Sequence, residues 1–271
     1  MTKVAFQGER GAFSEDAVIT FFGRAELSPN KYIADVFEAV VANDAEFGVV
    51  PVENSQAGII NDTYDLLLRY PLNIFGEIHL RISHCLMALP GETLEGIKII
   101  YSHPQALAQC EEFLRKFKAE IVPTYDTAGS AKRIKEGGLK GSAAVASKRA
   151  AEIYGLEILA EGIETNPNNY TRFFVISLKK AESSPNSKTS LVFSTRNLPG
   201  ALYNCLGAFA NRNINLTKLE SRPSRDKPWE YVFYVDFEGH VDDPICQEAM
   251  TELGRMTNFV KILGSYPRAA N

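Results

Sequence analysis

The feature that most constrains the fold is a repeated alternation of short apolar runs and amphipathic segments over residues 4–176. Short apolar runs bounded by turn residues predict buried strands, and apolar residues at helical spacing between them predict helices. Strands that alternate with helices through short loops form parallel sheets with helices on both faces. We therefore expect an α/β protein built on parallel sheets.

The alternation falls into two series. The first runs from the strand at 4–7 to a helix over 61–68, and the second begins with a strand at 97–101. Between them lies a long β-like run at 74–89, and the apolar run in 168–176 leads back. One strand that leads from the first series to the second, and another that leads back, predict two lobes with a cleft between them. The second lobe would cover about residues 80–160.

Residues 168–176 begin as a polar loop and become an apolar strand. This pattern places the hydroxyl of Thr171 and the guanidinium of Arg172 at the mouth of a strand, where ligands of open α/β sheets bind. The alternative is an ordinary strand start with a solvated arginine, and this stretch by itself fits both.

Two further stretches present polar groups just after a strand. Gly8 and Gly11 form a turn before a helix that Ser14 is predicted to cap, and a helix N-terminus can hold an anion. Most glycine pairs of this kind only close turns. The second stretch follows the strand at 47–50 and carries a carboxylate, an amide and a hydroxyl before a glycine, namely Glu53, Asn54, Ser55 and Gly58.

A polar stretch at 179–188, rich in serine and lysine, is the one clear linker. It divides the chain into a domain at 1–180 and a domain at 188–271. The second domain has the order βαββαβ in about eighty residues, which predicts a ferredoxin-like module.

Composition limits the partners. The net charge is −4, so no basic field favours nucleic acid or anionic lipid, and no apolar run reaches the ~20 residues of a membrane helix. The four cysteines form no CxxC pair, and His79 and His84 have no third ligand nearby, so neither a disulfide framework nor a metal site is expected. The N-terminus enters a strand directly and lacks the apolar region of a signal peptide, which favours a cytoplasmic protein.

Six motifs in order resemble the monofunctional prephenate dehydratase family over nearly the whole chain. They lie at 6–14 (FQGERGAFS), 50–58 (VPVENSQAG), 102–106 (SHPQA), 169–173 (NYTRF), 200–203 (GALY) and 220–223 (ESRP). Two positions depart from the family pattern: Ala12 stands in place of a threonine, and Asn213 in place of a glycine. Asparagine tolerates the left-handed conformation that a glycine there would adopt.

The resemblance implies a two-lobed catalytic domain shaped like a type II periplasmic binding protein, followed by a regulatory ACT domain. It implies conversion of prephenate to phenylpyruvate with loss of carbon dioxide and water, with no metal or organic cofactor. No helical chorismate mutase segment precedes Val4, so we expect the monofunctional version.

The same resemblance makes Thr171 the central catalytic residue. A threonine hydroxyl is a poor proton source, so we expect it to donate a hydrogen bond to the departing oxygen while water completes protonation. Arg172 either clamps a substrate carboxylate or braces the strand, and Phe173 walls the ring pocket. The substrate-binding residues implied are Gly8, Gly11, Ser14, Glu53, Asn54, Ser55, Gly58 and Asn169, with Glu53 orienting its neighbours.

For regulation, the resemblance implies L-phenylalanine bound to the C-terminal module at a seam between subunits of a homodimer or homotetramer. The residues implied are Leu198, Gly200, Ala201, Leu202, Asn215, Leu216, Thr217, Glu220 and Ser221. Two alternatives stay open: an arogenate dehydratase, which an acidic residue facing the substrate amino group would favour, and a non-catalytic amino-acid sensor.

Overall fold

The computed structural model describes residues 1–224 and 230–269. The chain folds into two compact units. The first comprises Met1–Thr63 and Ile78–Phe174, and the second comprises Tyr64–Glu77 and Val175–Asn271. The division falls inside one helix and two strands, so these elements belong in part to each unit.

The chain begins with β1 (Lys3–Gln7), α1 (Phe13–Phe22), β2 (Glu26–Asn30), α2 (Ile33–Val41), β3 (Phe47–Asn54), β4 (Gly58–Ile59), α3 (Asn61–Arg69) and β5 (Asn73–Arg81). It continues with β6 (Cys85–Ala88), a 3-10 helix (Leu94–Gly96), β7 (Ile99–Ser102), α4 (Pro104–Gln109), α5 (Glu111–Leu114), β8 (Glu120–Pro123), α6 (Thr127–Gly137), β9 (Ser142–Ala146), α7 (Lys148–Tyr154), β10 (Glu157–Glu161) and β11 (Tyr170–Ser177). The remaining elements are β12 (Ser187–Thr195), α8 (Ala201–Ala210), β13 (Leu216–Pro223), β14 (Tyr231–Glu238), α9 (Pro244–Met256) and β15 (Thr257–Pro267).

Each lobe of the first unit has its own sheet. The strand order is β2-β1-β3-β11-β5 in the first lobe, with β4 paired to β3, and β10-β6-β9-β7-β8 in the second. The prediction of two α/β lobes is confirmed, but the prediction of parallel sheets holds only in part for the second lobe, where β7 pairs parallel with β8 and β9. There β6 pairs antiparallel with both β10 and β9. The reason is that β6 enters this sheet directly from the first lobe, without the helical crossover that makes neighbouring strands parallel.

Three local predictions need correction. The run at 74–89 is two strands, β5 and β6, because the backbone at Ile82 and His84 bonds to Asn169 and Glu164 of the returning chain. Ser14 does not cap α1, which begins at Phe13 after Ala12 and leaves Ser14 in the first turn. The edge strand β2 was missed, since it contains Pro29 and little apolar sequence.

The C-terminal module is the predicted βαββαβ unit, with strand order β13-β14-β12-β15. Helices α8 and α9 bury their apolar faces on the sheet, in a core that includes Phe209, Phe237 and Leu253. Residues 64–77 also belong to this unit: Lys188 and Glu77 form a buried ion pair of 2.7 Å, and the Lys261 ammonium donates to carbonyl groups at the end of α3. The contact-based division therefore differs from the predicted limits, which follow the linker.

Within residues 1–224 and 230–269, no helix is long and apolar enough to cross a membrane. All four cysteines are buried free thiols.

Candidate active site

A cavity of about 310 Å³ lies in the first unit, a volume typical of small-molecule sites. Its wall comes from the starts of α1, α4 and α6, the end of β3, the start of β11, and the break between β5 and β6. Both lobes therefore contribute. The predicted site residues that line it are Ser14, Asn54, Thr171 and Phe173.

Thr171 lies at the start of β11, and the residue is 8% exposed. Its oxygen accepts a hydrogen bond of 3.0 Å from the side-chain amide of Asn54, at the end of β3. The hydroxyl hydrogen is thus left to point elsewhere, and no acceptor for it is found among the described residues. A hydroxyl held in this way can donate to a ligand in the cavity.

The orientation of the Asn54 amide is set by the backbone. Its oxygen accepts from the N–H groups of Gln56 and Ala57, at 3.0 and 2.9 Å. The amide nitrogen is therefore the donor toward Thr171 and also toward the side-chain oxygen of Asn169, at 2.8 Å. Buried amides with all positions assigned in this way are rigid.

Two residues that the sequence did not identify complete this network. Gln109, at the end of α4, accepts from Asn169 at 3.0 Å and donates to Asn54 at 3.3 Å. The Gln109 oxygen also bonds to Nε2 of His84, at 2.9 Å. His84 lines the cavity and is 2% exposed, whereas from the sequence it was considered only as a metal ligand and rejected.

Helix starts supply further donors. Phe13 and Ser14 in the first turn of α1, and Thr127 at the start of α6, line the cavity. First-turn N–H groups have no partner inside their own helix and favour anions. His103 caps α4, with Nδ1 accepting from the N–H of Gln105 at 3.2 Å, so its other ring nitrogen carries the hydrogen.

Gly8 and Gly11 do not line the cavity but lie where the two lobes meet. Gly11 has φ +85°, and a Cβ on it would lie 2.7 Å from Cα of Ala150 in the second lobe. The Ser147 hydroxyl, which caps α7, donates to the Gly11 carbonyl at 2.6 Å. A Cβ on Gly8 would lie 3.0 Å from a carboxylate oxygen of Asp126. Close backbone approach between the lobes therefore accounts for Gly11, whereas a Cβ on Gly8 would also lie 2.9 Å from Cβ of Ala12 in its own lobe.

The residues after Asn54 form a hairpin that supports the site from outside. Ser55 is exposed: its hydroxyl accepts from the N–H of Tyr170 at 3.0 Å and donates to the carbonyl of Asn168 at 3.2 Å. Gly58 is the exposed partner of Asn54 in the β3–β4 pair, and Glu53 pairs with Ile59. None of these three predicted residues lines the cavity.

Arg172 and Phe173 take opposite sides of β11. Phe173 is buried and lines the cavity, whereas the guanidinium of Arg172 lies over the ring of Phe174, 4.7 Å from its centroid, and does not line it. This geometry corresponds to the bracing alternative for Arg172 and not to a carboxylate clamp.

The electrostatics of the cavity are unusual for an anion site, because no lysine or arginine of the described chain lines it. Asp126 lines it, and burial raises the pKa of this carboxyl. Burial also lowers the pKa values of His84 and His103. No group of three metal-ligating side chains is found in 1–224 and 230–269.

The candidate effector residues lie on the C-terminal module and are exposed or half-buried. Gly200 precedes α8 with φ +78°, Leu198 is 60% exposed, and Ala201 and Leu202 form the first turn. Asn215 precedes β13, and Leu216, Thr217, Glu220 and Ser221 lie on this edge strand. Since Glu220 and Ser221 are adjacent on a strand, their side chains point to opposite faces, so they do not share one face of a site.

Comparison with known proteins finds a family match for each half of the chain. Residues 4–181 match the family described as prephenate dehydratase, and residues 189–254 match the ACT domain. A curated relative, arogenate dehydratase/prephenate dehydratase 2, chloroplastic, of Arabidopsis thaliana, is 44% identical, with 98% of this chain and 72% of the relative covered.

Two solved structures share the whole fold. Prephenate dehydratase from Arthrobacter aurescens in complex with L-Phe has a TM-score of 0.90 and 34% identity, covering 98% of this chain and 90% of the other. GqqA, described as a novel type of quorum-quenching acylase, has a TM-score of 0.89 and 37% identity, covering 98% and 97%.

Proposed function

This chain belongs to the prephenate dehydratase family, and we propose that its cavity carries out the lyase reaction of that family, conversion of prephenate to phenylpyruvate with loss of carbon dioxide and water. The observation that carries this proposal is the Thr171 hydroxyl. Thr171 lines a cavity to which both lobes contribute. Its oxygen accepts a hydrogen bond from the Asn54 amide, and its hydrogen can therefore be donated to a ligand.

Prephenate must lose its ring hydroxyl as the ring becomes aromatic and the ring carboxylate leaves as carbon dioxide. Negative charge develops on the departing oxygen. A hydrogen bond from Thr171 stabilises that charge more than it stabilises the substrate, which is the requirement for catalysis. The Asn54 amide holds the threonine oxygen in place, so little reorganisation is needed when the charge appears.

The rest of the cavity suits a ring that carries carboxylates. Phe13 and Phe173 supply apolar wall, and the N–H groups in the first turn of α1 are the donors for a carboxylate. At the start of α6 the Asp126 carboxylate already accepts from the N–H of Gly129. Ser14 also lines the cavity, and its hydroxyl is a further candidate donor. Glu53, Ser55, Gly8, Gly11 and Gly58 act on the substrate only through the backbone that they position.

We also propose that L-phenylalanine inhibits this enzyme by binding the C-terminal module. Support comes from the ACT domain at 189–254 and from the relative that binds L-Phe. The exposed start of α8 at Gly200 offers free N–H groups to the effector carboxylate. Pairing of two ACT modules in a homodimer or homotetramer would enclose the ring, and a cytoplasmic location stays a prediction.

Arogenate is the second candidate substrate, and Asp126 favours it. This carboxyl lines the cavity, where it could face the amino group that distinguishes arogenate from prephenate. Acyl hydrolysis has less support. It would need a nucleophile bonded to a base, and no hydrogen bond joins the hydroxyl of Thr171 or Ser14 to His84 or His103 in the described chain.

The test is to assay the purified chain with prephenate for phenylpyruvate and with arogenate for phenylalanine. Turnover of prephenate supports the proposal, and preference for arogenate assigns Asp126 to the amino group. Binding of L-phenylalanine without turnover of either compound would leave the sensor alternative. Loss of inhibition in a variant with intact turnover would separate the two proposed sites.

A further inference from the structure

We propose that the side chain of Tyr125 is a gate at the mouth of the cavity, and that Glu9 on the opposite lobe is its latch. The phenol must leave the Glu9 carboxylate before a substrate enters or a product leaves, while the two lobes stay together. This inference rests on the proposed function for the identity of the ligand, which is taken to be prephenate.

Tyr125 lies where the cavity meets solvent. It lines the cavity, yet the residue is 53% exposed. It belongs to the second lobe, in the short connection between β8 and α6. An exposed side chain rotates about its own bonds rapidly and without movement of the backbone. Such rotation at the border between cavity and solvent can open or close the passage.

The first lobe holds the phenol in place. The Tyr125 hydroxyl donates to Oε1 of Glu9 at 2.7 Å, and Oε2 of Glu9 accepts from the Lys132 ammonium at 3.0 Å. Glu9 lies in the turn between β1 and α1, so one carboxylate of the first lobe binds two side chains of the second. The Lys31 ammonium, also of the first lobe, lies 5.7 Å from the centroid of the Tyr125 ring in a cation–π contact.

The two partners of the latch have the protonation states that the bond requires. Burial would raise the pKa of Glu9, but the hydrogen bonds from Tyr125 and Lys132 outweigh burial and lower this pKa. Burial raises the pKa of Tyr125, and the bond to Glu9 adds to the increase. Near neutral pH the carboxylate is therefore ionised and the phenol is protonated, which makes the bond charge-assisted.

The second lobe provides space for the latched phenol at Gly129. A Cβ on this residue, in the first turn of α6, would lie 3.0 Å from the hydroxyl oxygen of Tyr125 and 3.1 Å from its Cζ. Glycine within a helix is destabilising relative to alanine, so its presence needs a local reason. The contact supplies that reason, because only a residue without a side chain leaves the phenol free to reach Glu9.

Separation of the lobes is the alternative route into the cavity, and contacts away from the mouth oppose it. The Tyr154 hydroxyl donates to the carbonyl of Arg10 at 2.9 Å, and the Ser147 hydroxyl donates to the carbonyl of Gly11 at 2.6 Å. None of these four residues lines the cavity. Rotation of Tyr125 breaks only its bond to Glu9, whereas separation of the lobes breaks the other bonds as well.

Tyr154 is a matched control for Tyr125. Each is a tyrosine of the second lobe whose hydroxyl bonds to the β1–α1 turn, with Arg10 as the acceptor in one case and Glu9 in the other. Of the two tyrosines, only Tyr125 lines the cavity. Tyr125→Phe should therefore open the gate, whereas Tyr154→Phe removes a contact between the lobes and leaves the gate closed.

Surface plasmon resonance with prephenate over the immobilised full chain tests the gate, with Thr171→Ala in every variant so that bound prephenate is not turned over. In Tyr125→Phe the association and dissociation rate constants should each rise about three- to tenfold, the effect of one hydrogen bond at a partly exposed site. Because the latch closes the empty and the occupied cavity alike, Kd should change little. A purely structural role would weaken binding instead. Tyr154→Phe should leave both rate constants unchanged.

Two results would overturn the gate. Equal increases in Tyr125→Phe and Tyr154→Phe would assign entry to separation of the lobes. Unchanged rate constants in Tyr125→Phe would show that the phenol does not control entry. Gly129→Ala keeps the phenol but displaces it from its recess, so it should raise both rate constants as Tyr125→Phe does. Combined with Tyr125→Phe it should add little, and additive effects of the two substitutions would also contradict the gate.

A measurement without ligand separates the gate from the proposed function. Fluorine NMR of the full chain labelled with 3-fluorotyrosine follows the ring directly, and Tyr125→Phe identifies its signal by loss. Glu9→Ala removes the acceptor, so the Tyr125 signal should move toward that of an exposed tyrosine. A signal that does not respond to Glu9→Ala overturns the latch, whereas a wild-type chain that turns over neither prephenate nor arogenate overturns the proposed function.

Discussion

The cavity around Thr171 and the candidate effector site on the C-terminal module are built in opposite ways. Around Thr171, buried and half-buried side chains from β3, α4 and β11 fix one another's orientation, beginning from two backbone N–H groups. On the C-terminal module the candidates are exposed or half-buried and lie around the start of α8 and along the edge strand β13. The side chains around Thr171 are oriented by contacts within one chain. The candidate effector residues lie along an edge strand whose outer side has no neighbouring strand in this chain.

The difference suggests how each region responds to change. In a rigid buried network, loss of one donor leaves other atoms unpaired, and the effect is large. On an open edge strand, water replaces a lost contact and the effect is small. Variants in the two regions should therefore differ by an order of magnitude or more.

The largest effect is expected for Thr171→Ala. Loss of the single hydroxyl that faces the departing oxygen should reduce kcat on prephenate by about 10²–10³, as for other oxyanion donors. Steady-state assay of phenylpyruvate formation measures this. Thr171→Ser keeps the hydroxyl and should be much milder. If both variants are equally inactive, the methyl group and not the hydrogen bond matters at this position.

Asn54→Asp should cost about 10-fold to 100-fold in kcat, equivalent to one lost buried hydrogen bond. The aspartate can still accept from Gln56 and Ala57 but cannot donate to Thr171, whose hydrogen would turn toward the carboxylate. Thermal unfolding of the same variant controls for loss of structure. Activity within a few-fold of wild type would mean that the threonine hydrogen is not directed by Asn54.

The comparison also shows what the sequence could and could not predict. Alternation of strands and helices was sufficient for the two lobes and the C-terminal module, since burial periodicity depends on local sequence. The strand β2 was missed because an edge strand needs few apolar residues. The antiparallel pairing of β6 depends on how the chain crosses between lobes, which local periodicity does not encode.

For the site, Thr171 and Asn54 were identified through their motifs, but His84 and Gln109 were not. Gln109 is 25 residues from His84, 55 from Asn54 and 60 from Asn169 along the chain, so no local pattern joins them. The family resemblance implied that Gly8 and Gly11 bind substrate, and a glycine turn before a helix can hold an anion. In the structure Gly11 packs closely on Ala150 of the second lobe, and Gly8 packs closely on Ala12 and Asp126.

Gly11→Ala tests that packing role and should lower the free energy of unfolding by about 1–3 kcal/mol, measured in urea. The new Cβ would lie 2.7 Å from Ala150, and φ +85° adds strain. Gly58→Ala is the matched control, since φ is +80° there and nothing lies within 4 Å of its Cβ. Its cost should be only that of the backbone conformation. Equal costs would remove the lobe contact as the reason for Gly11.

The smallest effect is expected on the open side of the comparison. Glu220→Gln should weaken inhibition by L-phenylalanine about fivefold, because replacing a charged acceptor for the effector ammonium on a partly exposed strand costs only ~1 kcal/mol. Linkage requires that prephenate and phenylalanine weaken each other's binding by the same factor, so calorimetry of phenylalanine with and without substrate measures the coupling independently. Glu182 is an exposed acid in the same unit, so Glu182→Gln removes an equal charge and should leave inhibition unchanged.

The full chain is needed for this measurement, because residues 64–77 pack in the same compact unit as the module. Ser221→Ala probes the opposite face of β13. If Ser221→Ala weakens inhibition and Glu220→Gln does not, the effector binds that other face and the ammonium has a different partner.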